Sequence, residues 1–257
     1  MNVARIGTVA INGFREVIRD RVLYFIGFFA ILLVLSLNLL PEVAAGSENK
    51  IFLDFGLGAM GILGAIVAIF VGTGLINKEI SRRTVLVIIP KPISRGELIV
   101  GKHLGLSGVL VILVAAMTVI YLALLSWSQV NYPLGSILVS ILLLLVELFL
   151  LAAIALVFGV FTSELLATLL TFAVYLMGHL SRDLVTLGKL SENEQIQAFT
   201  YNLYLVLPDL SRLNLRNQAV YDLLPSPLEL LTNGIYGLVY TLVLLGVAIL
   251  IFSLREF

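Results

Sequence analysis

The residue most exposed to chemical suspicion is Glu147, alone in the run Leu-Leu-Leu-Leu-Val-Glu147-Leu-Phe-Leu-Leu. A charged group at the middle of a membrane helix costs about 2.5–3.5 kcal/mol on insertion scales. Three readings are open: a substrate-path or proton-relay residue, a bond across a subunit interface, or a neutral carboxyl bonded to a neighbouring helix. The stretch Gly96-Glu-Leu-Ile-Val-Gly101-Lys102 imitates a phosphate-binding loop, but His103 stands where Ser or Thr must hold magnesium. The same stretch reads as helix, not as a loop after a strand, so the chain is expected to carry no nucleotide site. The two histidines, His103 and His179, are placed near opposite membrane faces and are not expected to share a metal. There is no cysteine, the four methionines are scattered, and no H-E-x-x-H or G-x-S-x-G pattern occurs. No catalytic residue and no metal site is therefore expected. Arg182 and Asp183 are read as pairing with each other or facing water.

The elements that must hold these residues are membrane helices. Sixty per cent of the chain is hydrophobic and 12% charged, where a soluble domain carries about 25% charged residues. Net charge is zero, which gives no electrostatic basis for binding nucleic acid. A crossing takes about 20 mostly apolar residues. Six blocks qualify: 22–40, 56–76, 105–126, 135–161, 164–181 and 233–252. The fourth and fifth meet at a tight Thr162–Ser163 turn, so five crossings plus a re-entrant hairpin is the alternative. The expected fold is an all-α membrane protein: six transmembrane helices with an N-terminal interfacial amphipathic helix, forming one transmembrane domain over 1–257.

Lysine and arginine set the orientation. With both termini cytoplasmic, that side holds eleven of the sixteen basic residues, six of them in the loop after the second span. Four of the remaining five lie in one long loop. Residues 1–45 resemble a secretory signal, but their apolar run of 19 exceeds the usual 7–15, so the first span reads as an uncleaved anchor.

Residues 3–20 place Val3, Ile6, Ala10, Ile11, Phe14, Val17 and Ile18 on one helical face, opposite Arg5, Arg15 and Arg19. This suits a helix lying in the membrane interface against anionic headgroups. The second span is rich in glycines at spacings that allow close helix packing. In the loop 77–104, a short charged helix carries Lys78, Glu79, Arg82 and Arg83, and Pro90 and Pro92 interrupt it. Ser94 with Glu97 forms a capping-box pattern that starts the next helix. Docking on a partner and simple anchoring of orientation are both consistent with this loop. Residues 182–232 mix charges with tyrosines and leucines between prolines, and short helices at the outer leaflet are expected there.

At Lys78–Lys102 the chain resembles the permease subunits of type-2 ABC exporters. Glu79, Thr84, Pro92-Ile-Ser-Arg95 and Gly101-Lys102 follow the family's order, and Leu207-Pro208-Asp-Leu-Ser-Arg-Leu-Asn214 is similar to a segment in its external region. The resemblance implies that 77–104 is a cytoplasmic coupling loop, with Lys78, Glu79, Arg82, Arg83 and Thr84 facing an ATPase. Pro90, Pro92, Ser94, Arg95 and Glu97 would form its break and cap. It implies a path between two copies of this chain, or this chain and a related permease, and an external segment 182–232 whose gate includes Pro208 and Asn214. Glu147 is a candidate for the path or interface. Partners would be two copies of an ABC ATPase subunit and membrane lipids. This chain would bind no cofactor, with ATP and Mg on the partner. The expected function is export of a lipid, glycan, peptide or other hydrophobic substrate across a bacterial inner membrane. A non-transporting scaffold and an intramembrane enzyme are the rivals.

Overall fold

The computed structural model describes residues 2–22, 24–43, 48–81, 94–191 and 193–254. The described residues are all helix and connecting turn, with no strand. Helix α1 (Val3–Val17) passes through a π turn (Ile18–Val22) towards α2 (Tyr24–Val43). Then come α3 (Glu48–Ser81), α4 (Arg95–Trp127), α5 (Leu134–Phe161), α6 (Glu164–His179), α7 (Ser181–Leu190) and α8 (Glu194–Val206). A 3₁₀ turn (Leu210–Arg212), α9 (Arg216–Val220) and α10 (Pro227–Leu254) complete the order.

Four of these helices are long and apolar enough to cross a membrane: Glu48–Asn77, Arg95–Trp127, Leu134–Phe161 and Pro227–Leu254. A fifth crossing results if Glu164–His179 and Asp183–Leu190, bent by 67° at their junction, count as one. The apolar stretch Tyr24–Leu39 is shorter than these. The first block read from the sequence, 22–40, is thus a helix, but its apolar stretch is shorter than the four crossings.

Helix α5 is the hub. It is apolar on every side, and α3, α4, α6 and α10 all pack on it. Its run Leu150–Leu156 is buried throughout, and the alanines within it let α3 approach closely. Polar cross-ties accompany the packing: Asn77 donates to the Gly159 carbonyl at 3.0 Å, and Thr73 meets Thr168 at 3.0 Å. Tyr121 on α4 donates to the Leu53 carbonyl at 2.9 Å, satisfying its hydroxyl inside the bundle.

Helix α1 lies on the start of α4, burying Val9, Gly13 and Val17, while Val3 and Ile11 stay exposed beside Arg5 and Arg15. The apolar face read from the sequence is therefore shared between α4 and the surroundings. Gly105 permits the contact: a Cβ there would stand 2.7 Å from the Ala10 carbonyl oxygen.

Helix α4 begins at the capping box. Ser94 Oγ accepts from Glu97 N at 3.2 Å, and the Glu97 carboxylate accepts from Ser94 N at 2.9 Å. The other Glu97 oxygen accepts from Asn2 N at 2.7 Å, so one carboxylate joins the starts of α1 and α4. Lys102 reinforces this with Glu16 at 3.1 Å. Arg95 donates to the Phe252 and Ser253 carbonyls at the end of α10, where a cation opposes the helix dipole. Gly96, Gly101 and Lys102 all sit within α4, so no phosphate-cradling loop exists at the P-loop-like stretch.

Candidate functional site

The hairpin of α5 and α6 determines the site. The turn at Thr162–Ser163 is short, with both residues extended. Antiparallel partners are then equidistant from Ser163, which pairs position 147 with position 179. Glu147 lies near the centre of α5, about 20 Å from either end at 1.5 Å per residue. Glu147 Oε1 and His179 Nε2 are 3.2 Å apart, with the Glu147 side chain 4% exposed and that of His179 23%. His179 Nδ1 lies 3.0 Å from the Tyr175 carbonyl, which can only accept, so Nδ1 carries hydrogen. One further proton lies between Nε2 and the carboxyl. Imidazolium with carboxylate, and imidazole with carboxylic acid, both satisfy the contact.

Helix α6 ends at this pair, and the chain bends into α7 at Leu180. A compact knot holds the bend. Asp209 is buried; its carboxylate accepts from Ser181 Oγ at 3.2 Å and Arg212 Nε at 3.1 Å, while its backbone N donates to Tyr236 Oη at 2.9 Å. Arg212 also stacks over Tyr236, 5.0 Å from the ring centroid. The Tyr204 hydroxyl, then Asp209, holds the Arg212 guanidinium above its usual range against partial burial.

Beside the pair lies a cavity of about 630 Å³. Glu147, His179 and Tyr175 line its deep end. Ser211, Asn214, Arg216, Asn217 and Gln218 line the other, and Leu57, Ile62, Leu144, Phe172 and Leu176 the walls. Ile62, Phe172 and Leu176 are about half exposed, so the wall between α3 and α6 opens sideways on an apolar surface. Arg216 Nε stands 2.8 Å from Asp54 Oδ1, but Oδ1 has no hydrogen bond of good geometry. The contact is Coulombic, off the N–H direction. Gly58 makes room for this arginine: a Cβ there would be 2.6 Å from Arg216 Nη1.

An apolar pocket with a few convergent polar groups is the usual form of a small-molecule site. The chain matches the family model described as ABC-2 family transporter protein over residues 8–257. The chain belongs to that family. It is a multi-pass integral membrane protein and a permease of the ABC-2 type, as the resemblance at Lys78–Lys102 implied. ABC-2 permeases generally pair with an ABC ATPase subunit. A comparison with curated proteins finds no match.

The ABC-2 permease brings some of the residues singled out in its sequence together and separates others. Glu147 is in the cavity, and Asn214 joins it, with Oδ1 accepting from Arg216 N at 3.2 Å. Pro208 packs elsewhere, its carbonyl close to Gly178 at the bend. Ser94, Arg95 and Glu97 lie at the head of α4, tied to α1 and α10. Arg82, Arg83, Thr84, Pro90 and Pro92, and the side chains of Lys78, Glu79 and Arg182, lie outside the described residues.

The histidines require a correction. They do not sit near opposite faces: His103 Nε2 reaches the Phe149 carbonyl at 3.0 Å, and His179 reaches Glu147 two residues away on the same helix. Glu147 is not alone. The reason is that α6 stops at mid-depth of α5 instead of running on to the far side. His179, Arg216 and Asp54 were missed as site residues. Counting from the Thr162–Ser163 turn would have found the first; no local signal marks the ion pair.

Proposed function

We infer that this chain is the membrane-spanning subunit of an ATP-driven exporter, moving a lipid, glycan, peptide or other hydrophobic substrate out of the cytoplasm. The observation that carries the reading is the cavity, which ends on a buried Glu147–His179 pair midway along α5 and opens sideways onto apolar surface. It occupies the half of the bundle away from α1 and Ser94, the half that faces outward if both termini are cytoplasmic. In this reading α2 and the broken α6–α7 pair complete six crossings, and α1 lies in the interface of a bacterial inner membrane. Residues 182–232 are external, and the whole chain is one transmembrane domain.

ATP and Mg belong to two copies of a partner ATPase, and two permease chains enclose the path. The segment 77–104 is the coupling loop, with Lys78, Glu79, Arg82, Arg83 and Thr84 on the ATPase. Pro90 and Pro92 stiffen its exit. The helix start at Ser94 within it supports this role, because displacement there is shared at once: Glu97 holds α1, and Arg95 holds the end of α10. Pro208 and Asn214 belong to the external gate, one against the α6–α7 bend and one on the cavity.

Native mass spectrometry of the complex purified in mild detergent tests the assignment. Two permease chains with two ATPase chains are expected. A complex that holds other subunits and no ATPase would replace the exporter with a scaffold.

A further inference from the structure

We propose that the cavity takes a single-tailed amphiphile with an oxyanion headgroup, and that Arg216 is the headgroup-binding residue. This rests on the permease reading for its purpose in transport, but not for the binding itself.

The argument starts from the guanidinium. The guanidinium pairs with Asp54 through its Nε edge, and its two terminal nitrogens make no hydrogen bond among the described residues. Those terminal nitrogens form the planar fork that matches a carboxylate or phosphate. Gly58 accommodates the fork against α3, so the opening there is filled by Arg216 and not by a neighbouring helix. Around it stand Ser211, Asn214, Asn217 and Gln218. Asn214 spends its oxygen on the Arg216 backbone, which leaves its amide hydrogens for an acceptor.

The rest of the cavity selects the body of the ligand. Leu57, Leu144 and Leu176 line its walls, and the gap beside Ile62 and Phe172 admits a chain from the apolar surroundings. A volume of about 630 Å³ suits a headgroup with one chain, within the roughly 300–1,000 Å³ of small-molecule pockets.

Two other titratable groups, Glu147 and His179, line the same cavity, and Asp54 stands against Arg216. Asp54 balances Arg216 and competes with an incoming oxyanion. Glu147 would repel an anion at the deep end, and His179 occupies it. The charge arrangement therefore directs an anionic head to Arg216 and not inward. A cationic head would have Glu147 and Asp54 to pair with, and His179 and Arg216 already hold them.

The test is equilibrium binding of radiolabelled oleate to the purified full chain in a non-ionic detergent. Lysophosphatidate, oleylamine, acetate and inorganic phosphate serve as competitors. Oleate and lysophosphatidate should displace one another, while oleylamine and the two small anions should not. Arg216→Gln should weaken oleate binding about tenfold or more, as a charge-assisted fork is lost. Asp54→Asn should tighten it, because the competing carboxylate is gone, and this variant decides the matter if Arg216→Gln does not fold.

Equal displacement by oleylamine would overturn the oxyanion assignment. Displacement by inorganic phosphate or acetate at matched concentration would make this a site for soluble anions. Unchanged oleate binding in Asp54→Asn and Arg216→Gln would remove Arg216 from the site. The assay needs no ATPase, so its failure leaves the permease reading intact, and absence of a partner ATPase leaves the binding result intact.

Discussion

Replacing Glu147 by leucine should destabilise the folded bundle by about 1–2 kcal/mol, and replacing it by glutamine should cost less than about 1 kcal/mol. In its imidazolium–carboxylate form the pair at 3.2 Å would have a gross attraction of about 5 kcal/mol at an effective dielectric near 20. Removing both groups from water offsets most of that. Interhelical polar couplings within membranes average about 0.6 kcal/mol and reach about 1.7. Glu147, at 4% exposure, has no solvent to replace its partner, whereas His179 at 23% can be wetted from the cavity. The cost of leucine is therefore held below the 3–5 kcal/mol typical of breaking a fully buried pair.

Glutamine keeps a donor for His179 Nε2, while Nδ1 stays on the Tyr175 carbonyl. Unfolding in mild detergent titrated with dodecyl sulfate would measure both variants and the double mutant with His179→Leu. The cycle should return about 1–2 kcal/mol of coupling. Strict additivity would refute the pair as a stabilising contact. Glutamine as damaging as leucine would show that charge, and not the hydrogen bond, maintains it.

Three further outcomes are expected. The double reversal Arg82→Glu with Arg83→Glu should abolish stimulation of the partner ATPase while leaving thermal stability unchanged; normal stimulation would remove these residues from the coupling surface. Gly105→Val should force α1 off α4, since a Cβ there meets the Ala10 carbonyl at 2.7 Å. Overpacking of this kind costs about 1–3 kcal/mol, and tryptic cleavage at Arg15 and Arg19 should quicken. Asp209→Ala removes the acceptor shared by Ser181 and Arg212, at a local cost of about 1–2 kcal/mol, since Arg212 is exposed enough to be wetted. Amide exchange over 208–215 should rise, and unaltered exchange would show that the knot does not hold the bend.

Hydropathy made the long helices legible, because blocks such as 135–161 admit no other fold in lipid. The start of α4 was legible from two residues, Ser94 and Glu97, since a capping box is a local device. The cost of Glu147 was legible, but its partner was not. Treating 164–181 as a complete crossing placed His179 at the outer face, whereas α6 ends level with the middle of α5. Gly58 illustrates a second limit. Glycines in a membrane helix read as packing faces, which is correct for Gly72 against Ala155, but Gly58 faces an arginine at the head of the short helix α9, distant in sequence. Arg216 reads in the chain as one more polar residue among prolines, and only the tertiary fold brings it to Asp54.

The most direct test of the central claim is ATP hydrolysis by the partner ATPase, measured with and without this chain in lipid nanodiscs and with vanadate as inhibitor. An ATP-driven permease predicts vanadate-sensitive hydrolysis that depends on the chain's presence. Hydrolysis at the same rate without the chain, or no ATPase that binds it, would contradict the account.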